Sequence, residues 1–443
     1  MEELEKEISD LKHQLAEKNS RIEVLENRLL AYERVECIKV QDCSGTNLPE
    51  MDKEPELNNK DIAKFSRQII LPEFRVKSQR KLKGSSVLIV GCGGLGCPAG
   101  VYLAGAGVGR IGLVDHDTVE ISNLHRQILH TETRVGELKC VSVAKSLAAL
   151  NPDTEYVPIH AALTSINALE IIKQFDIVLD CTDNVPTRYL LNDACVMLNK
   201  CLVSGSALRW EGQLTVYNLT GGPTYRCMYP TPPPAEAVTN CSDGGVIGAV
   251  PGLIGVLQAL ETIKILTQGV SSLSGKLLLV DALEGTFRTV KLRNRTEKGG
   301  DITKLVDYEL FCGSKATDKD SGLKLLDDGM RISVKELSRM REEGSDHILV
   351  DVRSDTEFEM GNIPGSINIP IHEFQTEASL SRHFPSFGSN KIICICRRGN
   401  DSQIACAALN QYWKWEEGEK EIKDVIGGLH AWARSVDSTF PVY

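Results

Sequence analysis

The alternation of apolar and polar positions predicts strands and helices in turn through the first half of the chain. Three short apolar runs rich in β-branched residues are typical of buried strands: Val87–Val90, Ile111–Val114 and Asp176–Asp180. Helical segments are predicted between them, at Ala99–Leu103 and Val135–Leu150. Strands that alternate with helices favour an α/β fold with a parallel sheet.

The pattern changes in the second half of the chain. Residues 293–330 are polar with little periodicity, and we interpret them as a linker. A strand at His347–Arg353 and a strand, loop and helix at Lys391–Leu409 then predict a smaller α/β domain over residues 331–443. The first domain is assigned to residues 58–292.

Residues 1–34 carry a heptad-like pattern. Apolar side chains recur at spacings of three and four from Leu4 to Tyr32, with one polar position at Lys18. The pattern suits a coiled-coil helix that pairs subunits or partners, and equally a single solvated amphipathic helix. Residues 35–57 lose the pattern, and we interpret them as a flexible linker.

Composition narrows the class of protein. The 443 residues carry a formal net charge of −10 at pH 7, which argues against tight nonspecific binding of nucleic acid. The 14 cysteines are mostly single residues in apolar runs, and no apolar leader begins the sequence. We therefore expect a reducing, cytosolic location and no contact with a membrane.

A glycine-rich turn follows the first predicted strand. Gly91, Gly93 and Gly96 give the spacing G-x-G-x-x-G, and Asp115 ends the next strand. The glycines let the backbone approach a phosphate, the helix N-terminus offers N–H groups, and the acid can hold ribose hydroxyls. The stretch is apolar enough to suggest a membrane helix, but its glycines and Pro98 argue against one. We expect a Rossmann-like nucleotide site, with a dinucleotide as the first candidate.

Polar residues near this turn favour ATP over a dinucleotide. The segment Ser122–Gln127 reads SNLHRQ, Lys139 lies in a helical segment, and Asp183 and Asn184 follow the third strand. In an open α/β sheet the ligand lies beyond the carboxyl ends of the strands, where these residues converge. Cations and a magnesium ion there would offset the charge of a triphosphate and of leaving pyrophosphate.

Two cysteines differ from those expected to fill the core. Cys241 lies in the proline-rich loop Thr231–Gly245, ahead of Val246–Leu266, which we expect to be a long buried helix. An exposed thiol in such a loop is a candidate nucleophile. Cys396 ends a strand, and the loop Arg397–Ser402 leads from it into a helix. The N–H groups and the arginines of that loop should favour the thiolate.

These residues resemble two known families. The first domain is similar to the ThiF/MoeB group of ubiquitin-activating-type adenylyltransferases. The second resembles a rhodanese, with a DVR strand, a GxIPGxxNIP turn and a Cys-led active loop. The resemblance covers residues 58–443 and includes the stretches DNVPTRYL, PTPPPAEAVTNC and CRRGNDSQ. It implies ATP-dependent adenylation of the C-terminal glycine of a ubiquitin-like sulfur carrier, followed by sulfur transfer that gives a thiocarboxylate.

The resemblance also implies partners and roles for single residues. The carriers would be the small subunit of molybdopterin synthase and the ubiquitin-related modifier of tRNA wobble-uridine thiolation, with a cysteine desulfurase as persulfide donor. Arg67 would reach the phosphates from the second subunit of a homodimer, and Asp183 would ligate magnesium. Cys241 would take the activated acyl group and Cys396 would carry the persulfide. The residues implied to hold ATP are Gly94, Asp115, Ser122, Asn123, Leu124, His125, Arg126, Lys139, Asp183 and Asn184.

The chain departs from both families. The structural zinc site of the first family has two C-x-x-C pairs, but Thr224 stands in place of the cysteine before Cys227, and Arg293–Gly300 contains none. One of four ligands remains, so we predict no zinc there. In the second domain Asn400 and Asp401 depart from an arginine-rich loop, and an acid there favours a protein-bound persulfide donor over thiosulfate. Two alternatives stay open: a non-catalytic carrier-binding scaffold, and a nicotinamide-dependent oxidoreductase fused to a rhodanese.

Overall fold

The structure is a computed structural model, and its contacts divide the chain into two units, Met1–Ala316 and Thr317–Tyr443. The residues that it describes are 1–36, 40, 47–234, 244–293, 302–314, 316, 323–384, 391–413 and 421–443.

An eight-stranded sheet forms the centre of the first unit, in the order β3-β2-β1-β4-β5-β6-β7-β8. Strands β1 to β5 are parallel, and β6 to β8 continue the sheet in antiparallel pairs. The parallel sheet predicted from the sequence is thus confirmed, with an antiparallel extension. The strands are β1 (Ser86–Val90), β2 (Arg110–Val114), β3 (Glu155–Ile159), β4 (Ile177–Asp180), β5 (Cys201–Leu208), β6 (Glu211–Tyr217), β7 (Lys276–Asp281) and β8 (Thr286–Lys291).

Helices cover both faces of this sheet. Successive side chains of a strand point to opposite faces, so apolar strands have side chains to bury on each face. On β1, Val87 and Ile89 pack with helices α4, α5 and α9, whereas Leu88 and Val90 pack with α6 and α7. The helices of the unit are α1 (Glu2–Glu36), α2 (Asn59–Ile69), α3 (Arg75–Lys83), α4 (Gly96–Ala106), α5 (Lys139–Leu150), α6 (Ala168–Ile172), α7 (Val185–Met197), α8 (Tyr225–Met228), α9 (Ala249–Gln268) and α10 (Tyr308–Cys312).

Helix α9 is a core helix. In the described residues it is the one helix long and apolar enough to cross a membrane by composition. Its Ile254 and Gln258 are fully buried against the sheet. The Gln258 amide donates hydrogen bonds to the carbonyl oxygen of Asp180, the last residue of β4, at 2.8 Å and to that of Val203, within β5, at 3.1 Å. The long buried helix expected at Val246–Leu266 is therefore present.

Residues 47–57 belong to the segment that we expected to be a flexible linker. In the structure Lys53 pairs with Asp176 at 2.9 Å, and Asp176 precedes β4. Arg110, the first residue of β2, donates a hydrogen bond to the carbonyl oxygen of Pro49 at 2.9 Å. These contacts hold the segment against the N-terminal edge of the sheet, which is opposite to the edge where ligands bind.

A five-stranded parallel sheet forms the second unit, in the order β11-β10-β12-β13-β9. Its strands are β9 (Arg331–Ile332), β10 (Ile348–Asp351), β11 (Ile367–Asn368), β12 (Lys391–Ile395) and β13 (Glu421–Val425). Its helices are α11 (Val334–Glu342), α12 (Asp355–Met360), α13 (Glu377–His383), α14 (Asp401–Trp413) and α15 (Gly428–Ser435).

The N-terminal heptad pattern forms one helix, α1, of 35 residues. Leu4, Ile8, Leu11 and Leu15 are all more than half exposed in the single chain. Exposed apolar side chains at this spacing suit both interpretations of the pattern, so the coiled coil stays a prediction.

Candidate active sites

The glycine turn closes tightly between β1 and α4. The N–H of Gly91 donates to the carbonyl oxygen of Val114 at 2.9 Å. Gly91 has a φ of +98°, and a Cβ there would lie 2.5 Å from the carbonyl oxygen of Cys181. Gly96 begins α4, and a Cβ there would lie 2.0 Å from the carbonyl oxygen of Gly91. Since no side chain fits at either position, the turn brings the N-terminal N–H groups of α4 to the carboxyl edge of the sheet, where they can bind a phosphate.

Asp115 and Lys139 form a buried charged group beside this turn. Asp115 accepts hydrogen bonds from the N–H groups of Cys92 and Asp117, both at 2.8 Å. The ammonium of Lys139 lies 3.0 Å from the carboxylate of Asp117. Burial raises the pKa of Asp115, although Lys139 opposes that shift. Burial by itself would lower the pKa of Lys139, but the carboxylates of Asp115 and Asp117 outweigh it and the pKa is raised. Lys139 is therefore a buried cation at neutral pH.

The segment Ser122–Arg126 covers the end of a 3-10 helix, Ile121–Asn123, and the turn after it, and its polar groups hydrogen-bond to one another. The Arg126 guanidinium donates to the Asn123 side-chain oxygen at 2.7 Å and to the Ser122 carbonyl oxygen at 3.3 Å. His125 contacts the same carbonyl at 3.0 Å, and the N–H of Leu124 bonds within the turn. A Cβ on Gly94 would lie 3.5 Å from the Arg126 side chain. The structure thus brings this segment to the glycine turn, as the sequence predicted.

Asp183 and Asn184 lie just beyond β4, at the same edge of the sheet. Asp183 is exposed, and its charge is one of those that raise the pKa of Lys139. The Asn184 side chain accepts a hydrogen bond from the N–H of Thr187 at 2.9 Å and so caps helix α7. Asn184 therefore has a structural role whether or not it contacts a nucleotide.

Arg67 lies away from this crevice in its own chain. It is exposed on α2, and the neighbouring Gln68 donates to the carbonyl oxygen of Ala106 at 2.8 Å. Ala106 ends helix α4, whereas the glycine turn precedes Gly96 at the other end, about 16 Å away for eleven residues at 1.5 Å each. The structure does not bring Arg67 to the other predicted residues of the same chain.

Cys396 directly follows β12 and is enclosed by its own loop. Its sulfur accepts a hydrogen bond from the N–H of Gly399 at 3.1 Å and lies 3.4 Å from the Ser402 hydroxyl. The N–H ring expected from the sequence is present, but the thiol is only 1% exposed. Burial raises the pKa of Cys396, the charge of Asp401 adds to the rise, and the hydrogen bonds of the ring only oppose it. The hydrogen bonds of the loop favour the thiolate, as expected, but burial outweighs them and the net pKa of the resting thiol is raised.

Helix α15 packs against the loop that begins at Cys396. The N–H of Leu429 donates to the carbonyl oxygen of Cys396 at 2.9 Å, and that of His430 donates to the carbonyl oxygen of Arg397 at 3.0 Å. A Cβ on Gly428 would lie 2.2 Å from the Cys396 carbonyl oxygen, so this close approach needs glycine. Backbone contacts with α15 therefore fix the start of the loop at Cys396 and Arg397.

Comparison with known proteins matches both sites to families. Residues 65–301, more than half of the chain, match the ThiF family. The chain belongs to the ThiF family. Residues 333–435 match the rhodanese-like domain, so the ThiF-family unit is joined to a sulfur-transfer unit.

Curated relatives cover this ThiF-family chain along its length. Adenylyltransferase and sulfurtransferase MOCS3 of Aedes aegypti is 50% identical over 452 residues, which are 100% of this chain and 98% of the relative. The protein of the same name from Xenopus laevis is 50% identical over 419 residues, 89% of this chain and 91% of the relative. The chain is therefore an adenylyltransferase and a sulfurtransferase, as the resemblance implied.

Solved structures match the ThiF-family unit at lower similarity. A crystal structure of E. coli MccB with MccA-N7isoASN is 23% identical, with a TM-score of 0.45. It covers 49% of this chain and 66% of that chain.

Two polar residues near the ThiF-family site are not among the residues that the sequence assigned to ATP, although Gln127 ends the SNLHRQ segment. Within the described residues, two buried side-chain atoms have no hydrogen-bond partner, Gln127 Oε1 and Arg188 Nε. Gln127 is 4% exposed, and its amide lies 3.5 Å from the position of a Cβ on Gly93. An unpaired buried polar atom costs about 1–3 kcal/mol, so Gln127 Oε1 is a candidate contact for a bound group. Arg188 Nε instead lies 3.8 Å from the carboxylate of Asp180. The one signal in the sequence was that Gln127 directly follows Ser122–Arg126.

The region of the family's zinc site is held together differently here. Cys227 accepts a hydrogen bond from the N–H of Thr224 at 3.5 Å, and no cluster of three or more His, Cys, Asp or Glu residues suited to a metal occurs in the described part of the chain. Arg226 instead makes two hydrogen bonds to the buried carboxylate of Asp193, at 2.8 and 2.7 Å. Tyr308, on α10, donates to the same carboxylate at 2.7 Å. The residues present do not fit a tetrahedral zinc ion, and its absence stays a prediction.

Cys241 lies outside the described residues. The chain is described again from residue 244, and Gly248 contacts the nucleotide site, because a Cβ there would lie 2.3 Å from the His125 carbonyl oxygen. Cys241 and Gly248 are seven positions apart in the sequence, which an extended chain spans in at most about 25 Å.

Proposed function

We propose that the first unit adenylates the C-terminal glycine of a ubiquitin-like sulfur carrier with ATP and Mg²⁺, and that the second unit turns the adenylate into a thiocarboxylate. The observation that carries the proposal is the buried Lys139 cation beside the glycine turn. Together with Arg126 it supplies positive charge where a triphosphate would lie, which a dinucleotide site does not need. The carriers are proposed to serve molybdenum cofactor synthesis and tRNA wobble-uridine thiolation, and the protein to act on tRNA indirectly.

The first step activates a carboxylate. The carrier carboxylate is unreactive toward sulfur because its oxygen is a poor leaving group. Its attack on the α-phosphate of ATP forms an acyl adenylate and breaks the bond to pyrophosphate. Arg126 and Lys139 stabilise the charge that builds on the phosphates. Asp183, exposed beyond β4, would hold Mg²⁺, which adds positive charge to the same phosphates.

The second step transfers sulfur. The terminal sulfur of a Cys396 persulfide attacks the acyl carbon, a C–S bond forms, and AMP leaves with its oxygen. The thiolate of Cys241 can then attack the Cys396 sulfur, which releases the thiocarboxylate and leaves a disulfide for a cellular thiol to reduce. Alternatively, Cys241 first takes the acyl group as a thioester, with AMP as the leaving group. Both routes stay open.

The proposed partners follow from charge and exposure. Ile62, Ile70 and Leu71 are 47%, 67% and 49% exposed around Arg67. Apolar residues in such a patch support a homodimer in which Arg67 reaches the partner's nucleotide. All 11 cysteines in the described residues are free thiols, which supports the proposed cytosolic location. A cysteine desulfurase is proposed as the persulfide donor.

The test is one incubation of the full chain with ATP, Mg²⁺, a persulfide donor and a carrier ending in Gly-Gly. Intact-protein mass spectrometry should show a carrier in which one terminal oxygen is replaced by sulfur. Cys396→Ala should stop this product and spare adenylation, which pyrophosphate release measures. Loss of both half-reactions in Cys396→Ala would contradict the division of labour. An unmodified carrier with intact ATP in the wild type would contradict the function.

A further inference from the structure

The side chain of Tyr443 bridges two parts of the sulfur-transfer unit. Its hydroxyl accepts a hydrogen bond from Arg353 Nη1 at 2.6 Å and donates one to Glu357 Oε1 at 3.1 Å. Its carbonyl oxygen lies 3.2 Å from His430 Nε2. Burial lowers the pKa of His430 and raises the pKa of Tyr443 to about 12, so at neutral pH the imidazole is neutral and the phenol keeps its proton.

The ring of Tyr443 contacts two guanidinium groups. The guanidinium carbon of Arg353 lies 6.0 Å from the ring centroid, and that of Arg397 lies 5.8 Å from it. These distances allow cation–π attraction, which is electrostatic and holds an arginine over an aromatic face. Arg397 is the residue after Cys396, so this contact fixes the side chain of the first residue of the active loop.

Of the two arginines, Arg353 is held in a buried ion pair and Arg397 lies in the active loop. Arg353 is 3% exposed and pairs with the buried carboxylate of Asp351 at 2.6 Å. It also donates to the carbonyl oxygen of Gly361 at 2.7 Å. Through its hydroxyl, Tyr443 is therefore fixed to a buried ion pair, and through its ring it contacts the half-buried Arg397.

We propose that Tyr443 is a positioning residue of the sulfur-transfer site, which holds the Arg397 guanidinium beside the persulfide of Cys396. The inference rests on the proposed persulfide role of Cys396. A persulfide carries its terminal sulfur about 2.05 Å beyond the buried Sγ, and that sulfur bears the negative charge of the nucleophile. A cation fixed at the next residue favours the anionic, reactive form. The other charged groups around the loop are Arg398, Asp401 and Asp424, the last through Ser402, and the titratable imidazole of His430 is neutral.

The experiment compares three variants of the full chain. Tyr443→Phe keeps the ring and loses the hydroxyl, Tyr443→Ala loses both, and Val442→Ala alters an exposed neighbour as control. Each is loaded with a persulfide and mixed with adenylated carrier, and the rate of thiocarboxylate formation is measured against pH. Tyr443→Ala should lower the rate about three- to tenfold at neutral pH, the size expected of a lost cation–π contact. The acidic limb of its profile should move to higher pH, Tyr443→Phe should lie between, and Val442→Ala should match wild type.

Four outcomes separate the possibilities. A Tyr443→Ala protein with wild-type rate and pH profile overturns the inference. So does a slower protein with an unchanged pH profile and a lower melting temperature, since that result indicates a structural role. If Tyr443→Ala does not fold, the variant Arg397→Lys replaces it, because lysine keeps the positive charge but not the planar guanidinium. A wild-type pH profile of Arg397→Lys overturns the inference. If Cys396→Ala transfers sulfur as fast as wild type, the proposed function fails instead. Adenylation should be unchanged in every variant.

Discussion

At Cys396 burial and hydrogen bonding act on the same sulfur in opposite directions. The N–H of Gly399 and the Ser402 hydroxyl stabilise a thiolate, but desolvation is the larger effect and raises the pKa of the thiol. A raised pKa keeps the resting thiol protonated and protects it from indiscriminate oxidants. The site thus suits a residue that receives sulfur from a specific donor.

The direction of this shift predicts a pH dependence. Because the pKa of Cys396 is above the ordinary cysteine value, alkylation by iodoacetamide should be slow at pH 7 and should increase as the pH rises past about 9, where a free cysteine is already ionised. The Asp401 carboxylate contributes to the rise, so Asp401→Asn should speed alkylation at pH 8. Glu359→Gln, an exposed change on helix α12, serves as control. Peptide mass spectrometry of the Cys396 peptide gives the rates, and equal rates for Asp401→Asn and wild type would contradict the assignment.

At the residue scale, the sequence predicts which side chains lie together where a motif sets the number of residues between them. Asp115 and Lys139 could be predicted because a strand, a glycine turn and a helix leave one edge of the sheet for them to share. Burial was not predictable in the same way. The order of residues around Cys396 shows the N–H ring, but not that the ring closes over the sulfur. The lack of a partner for Gln127 Oε1 also depends on three-dimensional packing.

At the scale of elements, helix α10 depends on tertiary contacts. Its five residues are too few for a stable isolated helix. Tyr308 bonds to Asp193, and the Arg226 guanidinium lies 4.8 Å from the Phe311 ring centroid and 5.2 Å from that of Tyr189. The polar stretch 293–330 carries no helical periodicity, so its local sequence predicts a linker. The partners that stabilise this helix lie about one hundred residues away in the chain, where no local pattern reports them.

From the same contacts we predict that the Asp193 group stabilises this region without a metal ion. Asp193 is 1% exposed, and Asp193→Asn would leave Arg226 without its counterion in a mostly buried position. Loss of one partner of a buried pair costs about 3 kcal/mol or more, so the free energy of unfolding in urea should fall by that amount. Glu211→Gln, an exposed change on β6, should leave it unchanged.

Treatment with a zinc chelator tests whether a metal ion also stabilises this region. Incubation of wild type with the chelator should leave its melting temperature unchanged, because the Asp193 group joins helices α8 and α10 and we predict no zinc there. A clear fall in melting temperature, with zinc found in the purified protein, would contradict this account and place metal ligands outside the described residues.

At the scale of the whole molecule, the two chemical steps lie on two separately packed units, each with its site at the carboxyl edge of a parallel sheet. That division could be predicted, since each unit carries its own pattern of strands and its own motif. What one chain does not supply is the arginine proposed for the phosphates. Helix α2 packs at the far end of α4, so the position of Arg67 has to be tested in the assembly.

Mixed subunits give that test. Arg67→Ala and Lys139→Met should each be inactive in adenylation, measured by pyrophosphate release. If Arg67 acts on the partner's nucleotide, a dimer of one variant chain with the other has one intact site, because the two lesions fall together in the second site. Random exchange of subunits in an equal mixture makes half of the dimers mixed, so about a quarter of wild-type activity should return. If Arg67 acts within its own chain, every site in the mixture carries a lesion and no activity returns. A mixture of Lys139→Met with Asp115→Asn, whose residues share one crevice in one chain, is the matched control and should stay inactive.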